Sequence, residues 1–326
     1  MAKENISTNQ YPHRTNYLSR FARTVLSFAP RLHLIASPSR PQGISVFMRV
    51  KNEFDWIEPS LQSIRAIADE IIAVDNGSTD GTYEYLEAEA ARDREKIRLF
   101  RKPQMIFSEL SDFALSRTSY RWVFKFDGDM VAHTSGDHTI SNLRNRLISL
   151  DSRRFYVVYL RLINLSGDLF HQDPRQMVHI EEYVHTASSA ARYIQAGRYE
   201  AIKFPRYYRV LFWYEPYIFH VDIKDSRRML LRYFWEKWMK NADYKKFPSI
   251  DDFVNAYLPD TFGTSSWKEA QEILCSRSLS CHIPYDSGMF GPYPDLLKPY
   301  LEKPKYKLIY RDGKIIGRDE PEKTHP

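Results

Sequence analysis

The stretch EIIAVDNGSTDGT, residues 70–82, joins a short apolar run to a polar turn that contains two glycines. The run predicts a buried strand, and the turn predicts a connection to a helix, because glycine permits tight turns and Ser, Thr or Asp can cap a helix. A second apolar run, RWVFKF at residues 121–126, ends directly before Asp127, Gly128 and Asp129. Both stretches therefore place carboxylates at the end of a predicted strand.

The surrounding sequence alternates strand patterns with helix patterns. This alternation predicts parallel βαβ units and a three-layer α/β/α sheet, whose ligands bind at the carboxyl ends of the strands. The predicted strands are residues 44–50, 70–74, 97–100 and 121–126, and the predicted helices are residues 54–68, 82–96 and 108–117.

The composition excludes several classes of protein. The chain has 326 residues, of which 43% are apolar, so it is globular rather than disordered. It contains no run of about 18 uncharged apolar residues, which excludes a transmembrane helix. Cys275 and Cys281 are its two cysteines, so it is neither a disulfide scaffold nor a four-cysteine zinc module.

The net charge of +6 is distributed unevenly along the chain. Residues 1–42 hold six Lys or Arg and one acid, and residues 201–246 hold 11 and five, whereas residues 43–200 hold 20 and 23. The predicted sheet is therefore slightly acidic, which argues against a nucleic-acid-binding core.

The two strand ends predict different chemistry. Asp75 and Asp80 can accept hydrogen bonds from a ribose or a base edge. Asp127 and Asp129 can together bind one divalent cation, and oxygen ligands suit Mg²⁺ or Mn²⁺. Such a cation binds phosphate oxygens and stabilises the charge that a nucleoside diphosphate gains as it leaves.

These motifs together resemble the nucleotide-sugar-binding half of family 2 glycosyltransferases, over about residues 43–135: KNE at 51–53, DNGSTDGT at 75–82 and DGD at 127–129. The resemblance implies a GT-A-type three-layer α/β/α nucleotide-binding sheet with a mainly helical C-terminal extension. It implies that the metal and the diphosphate bind at Asp127 and Asp129. It also implies that the nucleotide contacts Asn52, Glu53, Asp75, Asn76 and Asp80. The family often has an Arg-Asn pair in the helix before the fourth strand, for which Arg117 is the candidate substitute here.

Inverting members of this family need a carboxylate base for the acceptor hydroxyl. The candidates for the catalytic base are Asp173, Glu181, Glu182 and Glu215. Glu215 lies in the aromatic run VLFWYEPYIF, residues 210–219, whose apolar surroundings predict a raised pKa. The alternatives are a structural ion pair for Glu215 and helix-surface positions for Glu181 and Glu182.

His220 follows the same aromatic run. The resemblance implies a third metal ligand at this position, and a core histidine is the alternative. Lys224, Arg227 and Arg228 come next and can neutralise a diphosphate or an anionic acceptor.

Three regions are expected: a basic N-terminal arm at 1–42, a GT-A domain at 43–240 divided at residue 135 into nucleotide-sugar and acceptor halves, and a C-terminal extension at 241–326 that ends in a hairpin. Residues 17–29 and 226–240 read as basic amphipathic helices. Each can lie on an anionic membrane or pack on its own domain, which is the commoner use. We expect a cytoplasmic protein that can be peripheral at the membrane surface.

The expected function is metal-dependent, inverting transfer from a nucleotide-diphosphate sugar to a hydroxyl of a glycan, a lipid-linked acceptor or a polysaccharide. Two alternatives remain open. DGDMV, residues 127–131, fits the pattern of haloacid-dehalogenase-type phosphatases, although three βα units precede it here. A nucleotidyltransferase on a similar sheet is the other alternative.

Overall fold

The computed structural model describes residues 17–36, 38–196, 199–240, 246–247 and 249–321. These residues form a mixed α/β fold around one eight-stranded sheet. The strands are β1 (Ile44–Val50), β2 (Glu70–Asp75), β3 (Ile97–Arg101), β4 (Trp122–Lys125), β5 (Met130–Ala132), β6 (Tyr156–Ser166), β7 (His171–Gln172), β8 (Val178–Thr186), β9 (Arg192–Ala196), β10 (Tyr199–Lys203), β11 (Arg209–Asp222), β12 (Ile283–Pro284), β13 (Lys307–Arg311) and β14 (Lys314–Asp319). The helices are α1 (Tyr17–Leu26), α2 (Ile57–Ile64), α3 (Thr82–Arg92), α4 (Phe107–Ser116), α5 (Ile140–Ile148), α6 (Ser226–Lys240), α7 (Ile250–Phe262), α8 (Trp267–Leu279), α9 (Ser287–Phe290) and α10 (Lys298–Glu302).

The large sheet has the order β3-β2-β1-β4-β8-β6-β11-β5. Strands β3, β2, β1 and β4 are parallel, as the alternating sequence pattern predicts. Strand β8 runs antiparallel to both β4 and β6, and β5 runs antiparallel to β11. The predicted α/β fold class is confirmed, with a parallel half that continues into a mixed half.

Helices cover both faces of the parallel half. Phe47 and Leu110 belong to the buried cluster between the sheet and α4, whereas Val46 and Leu61 belong to the cluster between the sheet and α2. Neighbouring residues of one strand point to opposite faces, so both faces are buried and the strand reads as a continuous apolar run. This accounts for the sequence of β1 and for the three layers.

Two helices are shorter than the sequence pattern predicts. Residues 54–68 contain α2 only at Ile57–Ile64, because the carbonyl of Glu53 first accepts the N–H groups of Trp56 and Ile57 in a turn. Residues 82–96 contain α3 only as far as Arg92, since Asp93 leaves the helical conformation at φ −135° and ψ 61°. The spacing of apolar residues alone does not predict where α2 begins or where α3 ends.

The C-terminal part contains helices that the sequence pattern left unassigned. Helices α7 and α8 lie within residues 244–294, and they bury Phe253 and Leu274 in one cluster with Leu230 and Phe234 of α6. The apolar side of α6 therefore packs inside the protein. The division at 42 and 240 stays a prediction, and residues 1–16 of the arm lie outside the described residues.

The predicted C-terminal hairpin is present as β13 and β14. Its turn contains Asp312 and Gly313, both with positive φ, which suits a tight hairpin turn. Arg318 on β14 donates to the carbonyl oxygen of Gly167 at 3.0 Å and to that of Lys224 at 2.6 Å. The hairpin therefore holds the backbone that leaves β11.

His185 on β8 gives the folded protein a defined response to acid. The side chain is fully buried, and its Nδ1 lies 3.1 Å from the carbonyl oxygen of Thr186. Burial lowers the pKa of His185 to about 4. In the unfolded chain this imidazole binds a proton below about pH 6.5, whereas in the folded protein it does so only near pH 4. The free energy of unfolding therefore does not depend on His185 above about pH 6.5 and falls as the pH is lowered from about 6.5 to 4.

We predict that His185→Gln flattens the dependence of the unfolding free energy on pH between 6.5 and 4 by about 3 kcal/mol over the whole interval. Urea unfolding at several pH values measures this slope in the variant and the wild type. The exposed His33 provides the matched control, His33→Gln. Equal slopes for His185→Gln and the wild type would contradict the prediction.

Candidate functional site

The ends of β1 and β2 are joined by hydrogen bonds between their loops. Asn52, which has φ +57°, donates its backbone N–H to Ser78 Oγ at 2.9 Å and accepts the N–H of Thr79 on its Oδ1 at 2.8 Å. The backbone N–H of Glu53 donates to Thr82 Oγ1 at 2.8 Å. These contacts fix the KNE and DNGSTDGT segments as one surface.

The carboxylates of the DNGSTDGT turn shape the turn itself. Asp75 is buried, and its Oδ1 accepts the N–H groups of Gly77 at 2.9 Å and Ser78 at 3.0 Å. Asp80 accepts the N–H and the hydroxyl of Thr82, the first residue of α3, on its Oδ1. A nucleotide-binding role for Asp75 and Asp80 therefore stays a prediction, and it must coexist with these internal bonds.

The side chain of Asn76 is also used in hydrogen bonds within the protein. Its Nδ2 donates to the carbonyl oxygen of Met105 at 3.0 Å, and its Oδ1 accepts the N–H of Met105 at 3.1 Å. The amide thus orients the segment before α4. Arg117, the candidate substitute for an Arg-Asn pair, stacks over Phe100 and Phe113 at the far end of that helix.

Asp127 lies beside a pair of cations from buried strands. Arg49 on β1 donates to Asp127 Oδ1 from Nε at 3.1 Å and from the terminal nitrogen at 2.8 Å. Arg49 also donates to Glu200 on β10 at 2.5 Å, and Lys125 lies 3.3 Å from the same Glu200 oxygen. Burial would raise the pKa of Asp127, but Arg49 and Lys125 outweigh it and hold the pKa below its usual value.

Gly128 is required at its position by close packing rather than by a turn. A Cβ there would lie 2.9 Å from Val50 Cγ1 and 3.1 Å from Glu53 Cγ. The absence of a side chain lets the DGD segment approach the end of β1, so the carboxylates of Glu53 and Asp129 come to one place.

Asp129 and Glu53 share one ammonium group. Lys224 Nζ lies 2.6 Å from Asp129 Oδ2 and 2.8 Å from Glu53 Oε2, and Arg228 donates to Glu53 Oε1 at 2.8 Å. Burial would lower the pKa of Lys224, but the two carboxylates outweigh it and raise the pKa. The ammonium is therefore charged and fixed between the ends of β1 and β4.

His220 on β11 lies on the other side of Asp129. Its Nε2 is 3.4 Å from Asp129 Oδ2, and its Nδ1 is 3.2 Å from Asn164 Oδ1. Burial lowers the pKa of His220, but Asp129 outweighs burial and raises the pKa to about 9. The sequence-predicted pair of Asp129 and His220 is thus brought together.

Asp222, which the sequence analysis did not single out, lies beside Asp129 and His220 and forms with them a group of potential metal ligands. Ligand atoms of Asp129, His220 and Asp222 all lie within 4.8 Å of one another, and among the described residues Asp127 is not part of this group. Two carboxylates and an imidazole suit Mn²⁺ or Mg²⁺. The signal in the sequence is the spacing of two between His220 and Asp222, which places both on one face of a strand.

Glu215 does not have the predicted environment. It is partly exposed and lies 2.6 Å from Arg146, so it forms an ion pair rather than standing in apolar surroundings. Burial favours its neutral form, but its own backbone N–H and Arg146 outweigh burial and lower the pKa of Glu215. The expectation of a raised pKa was wrong, because Arg146, whose guanidinium lies 4.1 Å from the ring of Trp213, places a cation beside Glu215 within the aromatic run.

The remaining base candidates lie in two places. Asp173 is bound through both carboxylate oxygens by Arg175, at 2.8 and 2.7 Å, and Arg175 contributes to lowering its pKa against the effect of burial. Glu181 and Glu182 are on β8, the neighbour of β4, and Glu181 lies 3.8 Å from Lys125. Burial raises the pKa of Glu182, to which the charge of Glu181 adds.

Several residues of the site were missed by sequence reasoning. Arg49 and Lys125 are charged residues inside apolar strands, which signals a buried partner for each. Glu200 gave no such signal, because it comes from a separate two-stranded sheet, β9 and β10.

Carboxylates and cations thus lie together at the carboxyl ends of the parallel strands, the edge at which α/β sheets bind their ligands. The match to known families agrees: residues 45–137 match the family model described as glycosyl transferase family 2. The resemblance to this family is therefore confirmed over that segment.

Three solved structures are similar to parts of the chain. S. aureus TarS 1–349 is 18% identical, with 38% of this chain and 36% of that chain covered and a TM-score of 0.30. The same protein in complex with UDP-GlcNAc is 13% identical, with 74% and 81% covered and a TM-score of 0.41. A mycobacterial protein is 19% identical, with 47% of each chain covered and a TM-score of 0.28. No curated protein sequence matches the chain.

Proposed function

We propose that the chain is a metal-dependent, inverting glycosyltransferase that moves a sugar from a nucleotide-diphosphate sugar to an acceptor hydroxyl. The observation that carries the proposal is the group of Asp129, His220 and Asp222 within 4.8 Å, of which Asp129 belongs to the segment that matches glycosyl transferase family 2. Asp129, His220 and Asp222 would hold the divalent ion, and Asp127 lies beside them. The bound ion supplies the positive charge that stabilises a departing nucleoside diphosphate.

The chain's own residues account for the other requirements. Asn52 and Glu53 line the edge where β1 and β2 end, and this is where the nucleotide would bind. Glu182 is our choice for the base, because it lies on β8, the strand that pairs with β4, and its raised pKa suits it to accept the acceptor's proton. Direct attack by that acceptor on the anomeric carbon inverts its configuration.

The two alternatives are less well supported. A phosphatase would use Asp127 as nucleophile, yet Arg49 binds Asp127 Oδ1 through two nitrogens, and the family match includes this residue. No comparable observation favours a nucleotidyltransferase. Formation of an aspartyl-phosphate on Asp127 would instead support the phosphatase assignment.

The first test of the proposal is a screen of nucleotide sugars for release of free nucleoside diphosphate, with and without Mn²⁺. We predict that Asp129→Asn lowers kcat/KM by about 100-fold or more, because it removes a charge that binds the metal. Asp251→Asn, which disrupts the surface pair with Arg227, is the matched control and should keep full activity. Full transfer by Asp129→Asn would exclude the metal assignment.

The choice of Glu182 is tested separately from the metal. We predict that Glu182→Gln lowers kcat by about 100-fold or more with little change in the KM for the donor, since it removes proton acceptance alone. Glu215→Gln changes a partly exposed pair and should stay close to wild type. Steady-state kinetics of both variants decides between the two residues, and a selective loss in Glu215→Gln would reverse the assignment.

The N-terminal segment is the place for a membrane contact in this proposal. Phe21, Leu32 and Leu34 are more than 60% exposed, and residues 1–42 are strongly basic. Helix α6, by contrast, packs its apolar side against α7 and α8. Within the described residues, no helix has the length and apolar character to cross a bilayer.

We predict that the double variant Phe21→Glu/Leu34→Glu weakens binding to vesicles that contain anionic lipid by about tenfold or more, because two exposed apolar side chains no longer enter the interface. Vesicle co-sedimentation measures the partition coefficient. Tyr257→Glu, at an exposed position on α7, is the control. Unchanged binding by the double variant would assign α1 to packing on its own domain.

A further inference from the structure

The carboxylates at the candidate metal group are already paired with cations of the chain. Lys224 lies 2.6 Å from Asp129, and Arg232 donates to Asp222 at 2.8 Å. Lys224 also lies 2.8 Å from Glu53. Two carboxylates and an imidazole are suitable ligands for a divalent ion. The charges of these carboxylates are, however, already balanced by Lys224 and Arg232.

The ammonium of Lys224 lies at the Asp129 oxygen that would bind such an ion. Its ammonium binds Oδ2 of Asp129, the same oxygen that faces His220 Nε2 at 3.4 Å. The side chain of Lys224 is only 9% exposed, so water screens its charge poorly. A divalent ion bound by Asp129 would face this ammonium at close range, and the two positive charges repel each other.

We propose that Lys224 is the chain's own occupant of the Asp129 end of the divalent-cation site, and that its ammonium leaves Asp129 when the ion binds. The inference rests on the proposed function, and it adds a mechanism for when the metal binds. Lys224 keeps a partner during this exchange, because Glu53 Oε2 holds it from the other side.

The exchange couples metal binding to donor binding. In the free protein the ion must displace an ammonium, so divalent ions bind weakly. A nucleoside diphosphate that arrives with the ion brings anionic oxygens to which the released ammonium can donate. Each ligand therefore strengthens the binding of the other, which thermodynamic linkage requires to be reciprocal.

The test is a titration with Mn²⁺ in the absence of nucleotide, followed by the electron paramagnetic resonance signal of free Mn²⁺. We predict that Lys224→Met binds Mn²⁺ at least about tenfold more tightly than the wild type, since the competing charge is gone. Lys224→Arg keeps the charge and should stay weak. Lys237→Met removes an equal charge from the exposed side of α6 and should behave as wild type.

Unchanged or weaker Mn²⁺ binding by folded Lys224→Met overturns the proposal, and so does the lack of Mn²⁺ binding by both proteins. Should Lys224→Met fail to fold, the wild type supplies the second measurement. An amine-selective reagent, with labelling read by mass spectrometry, should modify Lys224 several-fold faster at saturating Mn²⁺. Equal labelling with and without Mn²⁺ also overturns the proposal.

These outcomes are distinct from failure of the proposed function. If no nucleotide sugar releases its nucleoside diphosphate, the glycosyltransferase assignment fails whatever the Mn²⁺ titrations give. If transfer occurs but Lys224→Met does not bind Mn²⁺ more tightly, only the role of Lys224 fails.

Discussion

The ammonium of Lys224, fixed between Glu53 and Asp129, is the interaction on which the site depends. It joins three strand ends that are far apart in sequence: Glu53 follows β1, Asp129 follows β4 and Lys224 follows β11. Each of these carboxylates is almost fully buried, and a buried carboxylate without a cation is costly. The parallel and the mixed halves of the sheet are therefore bound to each other at the point where chemistry is proposed.

A second ion-pair network repeats this arrangement on the neighbouring carboxylate. Arg49 bridges Asp127 and Glu200, and Lys125 supports Glu200. Seven of the eight strands of the sheet lie in the slightly acidic residues 43–200, yet Asp127 and Asp129 at the strand ends are each paired with a largely buried cation. The net charge of a segment therefore says little about the potential that a ligand meets, because that potential is set by pairs a few ångströms apart.

Much of the parallel half could be predicted from the sequence, because its strands are buried on both faces and its turns have their own residue signature. Asp75 and Asp129 were located at strand ends for this reason. The mixed half was not predictable in the same way. Asn164 reaches the site because β6 pairs with β8 and β11, and Glu200 comes from the separate β9–β10 hairpin, which no local pattern links to Arg49. Glu215 shows the limit most clearly, since the aromatic run suggested apolar surroundings, whereas Arg146 from the distant α5 supplies a cation there.

The contact between Arg318 and the carbonyl oxygen of Lys224 has a consequence for the order in which the molecule is completed. The ribosome delivers the parallel strands first, and they can pair as soon as β4 has emerged, since domains form from their N-terminal parts onward during synthesis. The backbone under Lys224 gains its hydrogen bond from β14 only after residue 318 has been made. A nascent chain can thus hold a finished sheet and an unfinished site at the same time.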